Sequence, residues 1–168
     1  LSHLSEVLLD MTGIQSVERS DSISLAELTD EVCCDLASIA DQKKVELIQE
    51  EGDCTVTGSY LLLYRAVFNL VENAIKYNHP DGSVHINIKD ENGFALISIK
   101  DTGIGIAPEN QEKIFTPFFC VDKSRSRTMG GAGLGLALVA EIAQLHNGTV
   151  YVSESDSEGS TIILKLPL

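Results

Sequence analysis

Tryptophan is absent from the chain, aromatic side chains make up only 5% of it, and no run approaches the roughly 20 apolar residues a membrane-spanning helix needs. A helical span within this stretch is therefore excluded, and no direct membrane contact is expected. The four cysteines, at 33, 34, 54 and 120, form no Cys-x-x-Cys pair and no Cys/His spacing suited to zinc, so they read as reduced thiols. Histidines at 3, 79, 85 and 146 are scattered, and neither His79 nor His85 has a partner that would make it a ligand or catalyst. Positive charge is scarce: 12 Lys and Arg stand against 25 Asp and Glu, a net charge of −13. Such a surface repels nucleic acid and anionic lipid, both polyanions, and favours a basic partner or a locally basic pocket.

Two nucleotide signatures are missing as well. No Gly-x-x-x-x-Gly-Lys-Ser/Thr string occurs. Asp101-Thr-Gly-Ile-Gly105 lacks the third glycine of a dinucleotide fingerprint and has no parallel βαβ unit around it.

What is present is a composition 43% hydrophobic over 168 residues, enough for one globular core. Residue 1 is Leu, so the chain reads as a piece of something longer. Leu1, Leu4, Leu8 and Met11 make a short helical stripe ending near Gly13, and polar residues from Gln15 to Ser22 read as a linker. From Ser24, an N-cap with Glu27 at the capping-box position, a helix is expected to about Lys44, with Leu25, Leu28, Val32, Leu36, Ile39 and Ala40 on one face. Val45 to Gln49 and Cys54 to Thr57 read as strands. Ser59 caps a second helix to about Tyr77, with Leu63, Val67, Leu70, Val71 and Ala74 on its core side and Arg65, Asn69, Glu72, Asn73 and Lys76 opposite. Val84, Ile86 and Ile88 alternate into a hairpin at Asp90-Glu-Asn-Gly93, and the strand from Phe94 delivers Asp101 at its end. A short helix is expected from Pro108 to Ile114, then an irregular segment to Gly133, a third helix from Leu134 to His146, and two last strands. This order lacks strict βα alternation and predicts an α+β, two-layer sandwich with a mixed sheet covered on one face by helices.

Three elements in this chain carry chemistry. Asn69 and Asn73 lie one turn apart with Lys76 beside them; a solvated face would also be polar, but Asn is a poor helix-interior residue. An amide oxygen suits Mg²⁺, which takes one or two protein oxygens and keeps water and phosphate for the rest, and Asn73 fits that role. Asp101 could simply cap a turn; directed inward, its acceptor-only carboxylate matches the exocyclic amine of adenine. Gly131-Ala-Gly-Leu-Gly135 opens the third helix, where free N–H groups and the helix dipole favour phosphate, although a glycine-rich helix contact would look the same. Between the glycine strings, Lys123, Arg125 and Arg127 could close over a triphosphate or remain solvated loop charges.

Taken in order, Asn69-Leu-Val-Glu-Asn73-Ala-Ile-Lys-Tyr77, Asp101-Thr-Gly-Ile-Gly105, Phe115 to Phe119 and Gly131-Ala-Gly-Leu-Gly135 resemble the N, G1, F and G2 boxes of sensor histidine kinases. The resemblance implies the Bergerat ATP-binding fold over residues 21–168, with residues 1–20 as the end of a dimerisation helix and a linker. It implies ATP and Mg²⁺ as cofactors, with Asn73 on the metal, Lys76, Tyr77 and Asn69 at phosphate and ribose, and Asp101, Gly103, Gly105 and Ile106 at adenine. Thr161, in Gly159-Ser-Thr161, would support the adenine site, and Gly131, Gly133, Leu134, Gly135 and Lys123 would receive phosphates. Cys120 stands where many relatives carry arginine, so Lys123, Arg125 or Arg127 would take its place.

The implied reaction moves the γ-phosphoryl of ATP to a histidine on a separate dimerisation domain, and onward partnership with a response regulator receiver domain. Asn69, Glu72, Lys123 and Arg125 would form the catalytic group. Related ATPases carry an acidic residue one turn before the metal Asn, and Asn69 cannot accept a proton, so hydrolysis is expected to be slow. Glu72 would orient or deprotonate the incoming histidine. The resemblance places the domain in the cytoplasm, as part of a membrane-anchored parent. Two other readings share the fold: an anti-sigma-type serine kinase, which would carry Glu at 69 and a shorter lid, and a nucleotide-sensing module without catalysis. Asn73→Ala is expected to abolish Mg-ATP binding or transfer while the circular dichroism spectrum stays native; unchanged affinity and rate would remove Asn73 from the site.

Overall fold

The computed structural model describes residues 13–117, 119 and 135–168. The expected stripe of Leu1, Leu4, Leu8 and Met11 lies outside them, as does most of the segment between the glycine strings. Strands are β1 (Asp21–Ser24), β2 (Glu46–Gln49), β3 (Thr55–Gly58), β4 (Ser83–Glu91), β5 (Phe94–Asp101), β6 (Thr149–Asp156) and β7 (Gly159–Pro167). Helices are α1 (Leu25–Gln42), α2 (Tyr60–Lys76) and α3 (Gly135–Leu145). Five strands form one sheet in the order β2-β4-β5-β7-β6, with β2 parallel to β4 and every other pair antiparallel, while β1 and β3 form a separate antiparallel ribbon. The mixed sheet and helical layer match the expected α+β sandwich.

Alternation along the strands explains the layering. Val84, Ile86 and Ile88 of β4 register with Asp101, Ile99 and Ile97 of β5, which register in turn with Ser160, Ile162 and Leu164 of β7. Paired residues share a face, so the buried aliphatic rows form one apolar surface. Onto it pack Leu63, Ala66, Val67, Leu70 and Val71 of α2, all almost fully buried, together with Leu28, Val32 and Leu36 of α1 and Leu138, Val139 and Ile142 of α3. At α1 the expected face is one residue too wide: Ile39 is 37% exposed, whereas Ala40 is buried. Across the groove between α1 and α2, the phenols of Tyr60 and Tyr64 donate to the carboxylates of Glu31 and Asp35.

Helix ends follow local chemistry. Ser59 Oγ accepts the Leu62 N–H at 3.2 Å, and Asp21 Oδ2 accepts that of Tyr60 at 3.0 Å, so two side chains satisfy the start of α2. α1 and α3 both stop at a left-handed residue, Lys44 (φ 57°) and Asn147 (φ 59°). In each case the N–H two residues past the cap reaches back to a carbonyl five residues earlier, Val45 to Ala40 at 2.9 Å and Gly148 to Ala143 at 2.8 Å.

Two expectations are corrected. Gln15 to Ser22 is no mere linker: Ile14 is buried in the core and Asp21–Ser24 is a strand, with Ile23 opposite Val56. A single apolar residue in four gives no readable alternation. The strands expected at 45–49 and 54–57 are present as β2 and β3 and lie in different sheets, β3 pairing with β1 while β2 joins β4. The helix expected from Pro108 to Ile114 is two separate 3₁₀ turns, Pro108–Asn110 and Lys113–Phe115. Among the described residues no helix is long and apolar enough to cross a membrane. Cys33, Cys34 and Cys54 are free thiols, and burial, with Asp30 and Cys34 nearby, pushes the Cys33 thiol up to about 11.

One stabilising contact was not legible in the sequence. Asp53 reaches back across the α1–β2 excursion to cap α1, its Oδ1 accepting the Ala26 N–H and its Oδ2 the Ser24 hydroxyl, both at 2.9 Å. The Ala26 N–H chiefly, with Ser24 and the Cys54 N–H, holds the carboxyl below its usual range against a smaller opposing effect of burial. A lowered folded-state value means that this stabilisation is present above the ordinary aspartate range and is lost as pH falls through the folded value. Asp53→Ala is expected to lower stability by about 1 kcal/mol at neutral pH. Urea midpoints should differ at pH 7 and converge as the solution is acidified; identical midpoints at pH 7 would remove the cap from the account.

Candidate functional site: a cleft between α2, α3 and the loop after β5

The polar stripe of α2 forms one wall. Asn69, Glu72, Asn73 and Lys76 are all half-buried. Asn69 donates from Nδ2 to the carbonyl of Gly135, the first residue of α3, at 3.2 Å. No described residue forms a hydrogen bond or ion pair with the side chains of Glu72, Asn73 or Lys76. An uncommitted amide and an uncommitted ammonium one turn apart can hold, respectively, a hard cation and an anionic oxygen.

The second wall begins at Asp101, the last residue of β5. Its Oδ1 accepts the N–H of Gly103 at 2.9 Å and of Ser160 at 3.3 Å, and its Oδ2 accepts the Ser160 hydroxyl at 2.9 Å. A carboxylate offers about four acceptor positions, so three are filled and one on Oδ2 remains. That position can accept an amine and cannot pair with a carbonyl. The resemblance implies Thr161 as the support here, and nothing local in the sequence singles out Ser160. Register decides between them: Asp101 pairs with Ser160, whereas Thr161 pairs with Lys100 and Glu154 and occupies the opposite face of β7.

The glycines of Asp101-Thr-Gly-Ile-Gly105 have a different task from the one first suggested by their density. A β-carbon on Gly103 would lie 2.4 Å from the carbonyl oxygen of Tyr77, and one on Gly105, at φ +76°, would lie 1.8 Å from that of Asp156. They admit neighbouring backbone rather than an external phosphate. Ile104 N–H donates to Tyr77 at 3.3 Å, so the loop is tied to the end of α2. Ile106 N–H donates to Ser155 Oγ at 2.6 Å, which ties its far side to β6. Thr102 completes the frame by accepting the Ser83 N–H at 2.9 Å and donating to Asn78 Oδ1 at 3.1 Å.

Thus Asn69 and Gly135 are brought into contact, Asp101 and Gly103 likewise, and Tyr77 joins the α2 wall to the loop through its main chain. Gly131, Gly133, Leu134, Lys123, Arg125, Arg127 and Cys120 lie outside the described residues. Among the described residues no group of three His, Cys, Asp or Glu could hold a metal. A cation here would rest on an amide and on the oxygens of its own ligand, which is how Mg²⁺ binds phosphates.

Comparison with known proteins agrees with this geometry. Residues 58–168 match the family described as histidine kinase-, DNA gyrase B- and HSP90-like ATPases. The chain is 33% identical over 173 residues to the sensor histidine kinase RppB of Synechocystis, an alignment covering 98% of this chain and 38% of RppB. It is 37% identical over 165 residues to the sensor-like histidine kinase SenX3 of Mycobacterium tuberculosis, covering 95% of this chain and 40% of SenX3. Among solved structures, the mycobacterial sensor histidine kinase MprB superimposes with a TM-score of 0.75 at 28% identity, over 88% of this chain and 97% of that one. The chain spans about two fifths of the length of these curated relatives. With the four sequence boxes and the α2–β5 cleft, the match shows that the chain belongs to the family of histidine kinase-, DNA gyrase B- and HSP90-like ATPases.

Proposed function

We propose that this chain is the catalytic ATP-binding domain of a sensor histidine kinase, and that it delivers the γ-phosphoryl group of Mg-ATP to a histidine on a separate dimerisation domain. The observation that carries the reading is the pairing of an uncommitted Asn73 amide on α2 with an Asp101 carboxylate that has one acceptor position left. Asn73 would hold Mg²⁺, Lys76 and Tyr77 would meet phosphate and ribose, and Oδ2 of Asp101 would accept the adenine amine. Ser160 takes the supporting role at adenine because its hydroxyl and N–H both hold Asp101. Bound Mg²⁺ would neutralise phosphate charge. Lys123 and Arg125, with amides of Gly131, Gly133, Leu134 and Gly135, would do the same.

In the transfer, the bond from the γ-phosphorus to its bridging oxygen breaks, a phosphorus–nitrogen bond forms, ADP leaves, and the imidazole loses a proton. Glu72 would orient that imidazole or take its proton. Asn69 disfavours hydrolysis, because an amide cannot accept a proton from water and its Nδ2 is engaged by Gly135. Onward transfer to a receiver domain, and a cytoplasmic place in a membrane-anchored parent, belong to the whole protein and follow from the same reading.

The decisive experiment mixes this chain with a separately made dimerisation domain and γ-labelled ATP. Acid-labile, base-stable label on the dimerisation domain is expected; its absence, where an intact kinase reacts, would defeat the kinase reading. For the adenine end, Ser160→Ala is expected to weaken Mg-ATP about tenfold, since one lost hydrogen bond to a charged group is worth roughly 1.5 kcal/mol. Thr161→Val should leave affinity within about twofold by the same arithmetic. Calorimetry showing the reverse order would return the role to Thr161.

A further inference from the structure

His146 lies outside the cleft and takes no part in the transfer chemistry, yet it is a buried polar side chain with two directional contacts. Its Nε2 is 3.0 Å from the backbone nitrogen of Ser59, and its Nδ1 is 2.8 Å from the carbonyl oxygen of Ile142. The first contact requires a bare ring nitrogen and the second a protonated one, so the ring is neutral with its proton on Nδ1. Space for it is built into the chain: a β-carbon on Gly58 would lie 2.4 Å from Cδ2 of the ring. Ser59 is the N-cap of α2, and His146 directly follows α3.

At the opposite end of α3, Asn69, in the middle of α2, holds the carbonyl of Gly135. The two helices run antiparallel, and among the described residues a polar contact to α2 lies at each end of α3. Between these contacts Leu63, Ala66 and Val67 of α2 and Leu138, Val139 and Ile142 of α3 belong to the same buried apolar core, to which the two hydrogen bonds add fixed directions. We propose that His146 is a positioning residue for the nucleotide site: by anchoring the end of α3 to the Ser59 N–H, it fixes the register of α3 against α2. Gly135 is thereby placed against Asn69, one turn before Asn73. The consequence for nucleotide rests on the proposed function; the register itself does not.

The anchor has a defined pH sense. Burial holds the ring below the ordinary histidine range, and Arg19, in the segment before β1, adds to this against an opposing effect of the Ile142 carbonyl. The acidic group at the same helix start is Asp21, whose Oδ2 accepts the adjacent Tyr60 N–H at 3.0 Å. A lowered folded-state value makes the contribution complete above the ordinary histidine value and lost as pH falls through the folded value. Protonation would place an N–H on Nε2, directly against the Ser59 N–H.

The test uses the chain with His146→Leu, which keeps bulk without an acceptor, and His146→Gln, whose Oε1 can still accept the Ser59 N–H. In ligand-free protein, His146→Leu is expected to shift the Asn69 side-chain and Gly135 amide resonances, while His146→Gln leaves them near their parent positions. Mg-ATP affinity is expected to fall about tenfold in His146→Leu, as a small misplacement of a remote element does, and to return in His146→Gln. Affinity of the parent should drop as pH falls below the ordinary histidine range, and that of His146→Gln should drop less.

Unmoved Asn69 resonances in His146→Leu, or His146→Gln as weak as His146→Leu at neutral pH, would overturn the proposal. A parent protein that bound no Mg-ATP would instead defeat the functional reading, with the resonance measurements still deciding the register. Should His146→Leu fail to fold, the Asn69 amide resonances of the parent carry the test. They move as His146 titrates if the anchor acts on the far end of α3, and stay fixed if it does not.

Discussion

The carbonyl of Tyr77 stands 2.4 Å from where a β-carbon on residue 103 would be, and the rest of the cleft depends on that close approach. Only glycine lets the loop after β5 rest on the C-terminal end of α2, where the Ile104 N–H then finds the same carbonyl. The contact sets the distance between two walls that are otherwise independent: a helix stripe carrying Asn73 and Lys76, and a strand end carrying Asp101. Gly105 and Gly159 repeat the device on the other side, against Asp156 and Asp101 main chain. Glycine density here records crowding of backbone against backbone. The ligand benefits indirectly, through a rigid frame.

An acidic domain that binds a polyanion must supply its own local field. The net charge of −13 opposes ATP at long range, so attraction has to come from short-range groups held in place. In the described residues these are the Lys76 ammonium and the uncommitted Asn73 amide. Separation of roles along α2 follows from the same economy: Asn69 is spent on the Gly135 carbonyl, one turn from the residue free to meet a metal. An amide at 69 thus ties α3 to α2, and it cannot itself accept a proton.

Most of the fold and the outline of the site were legible before any coordinates. Helix faces of α2, the Ser24 and Ser59 caps, the hairpin at Asn92-Gly93 and the strand leading to Asp101 all rest on local periodicity or turn chemistry, and the structure places them as expected. What was not legible in the sequence shares one cause. β1 has a single inward apolar residue, β2 and β3 belong to different sheets, and Asp53 caps a helix that begins 28 residues earlier in sequence; each is a partner choice made across space. Ser160 and Thr161 differ only in which face of β7 they occupy, and a one-residue change of register exchanges them.

The sequence by itself determined the inventory of the site and its order: Asn69, Glu72, Asn73 and Lys76 on one helical stripe, Asp101 at a strand end, and glycines where backbone must pass close. Those follow from periodicities of 3.6 and 2 and from the conformational freedom of glycine, which act within a few residues of one another. Tertiary structure alone decided which groups are free and which are used. Among the described residues Asn69 has a partner and Asn73 has none, Ser160 rather than Thr161 meets Asp101, and His146 is neutral and buried against Ser59. The physical reason is that a hydrogen bond is set by distance and direction between atoms far apart in the chain, and no local pattern encodes which of two similar side chains will arrive.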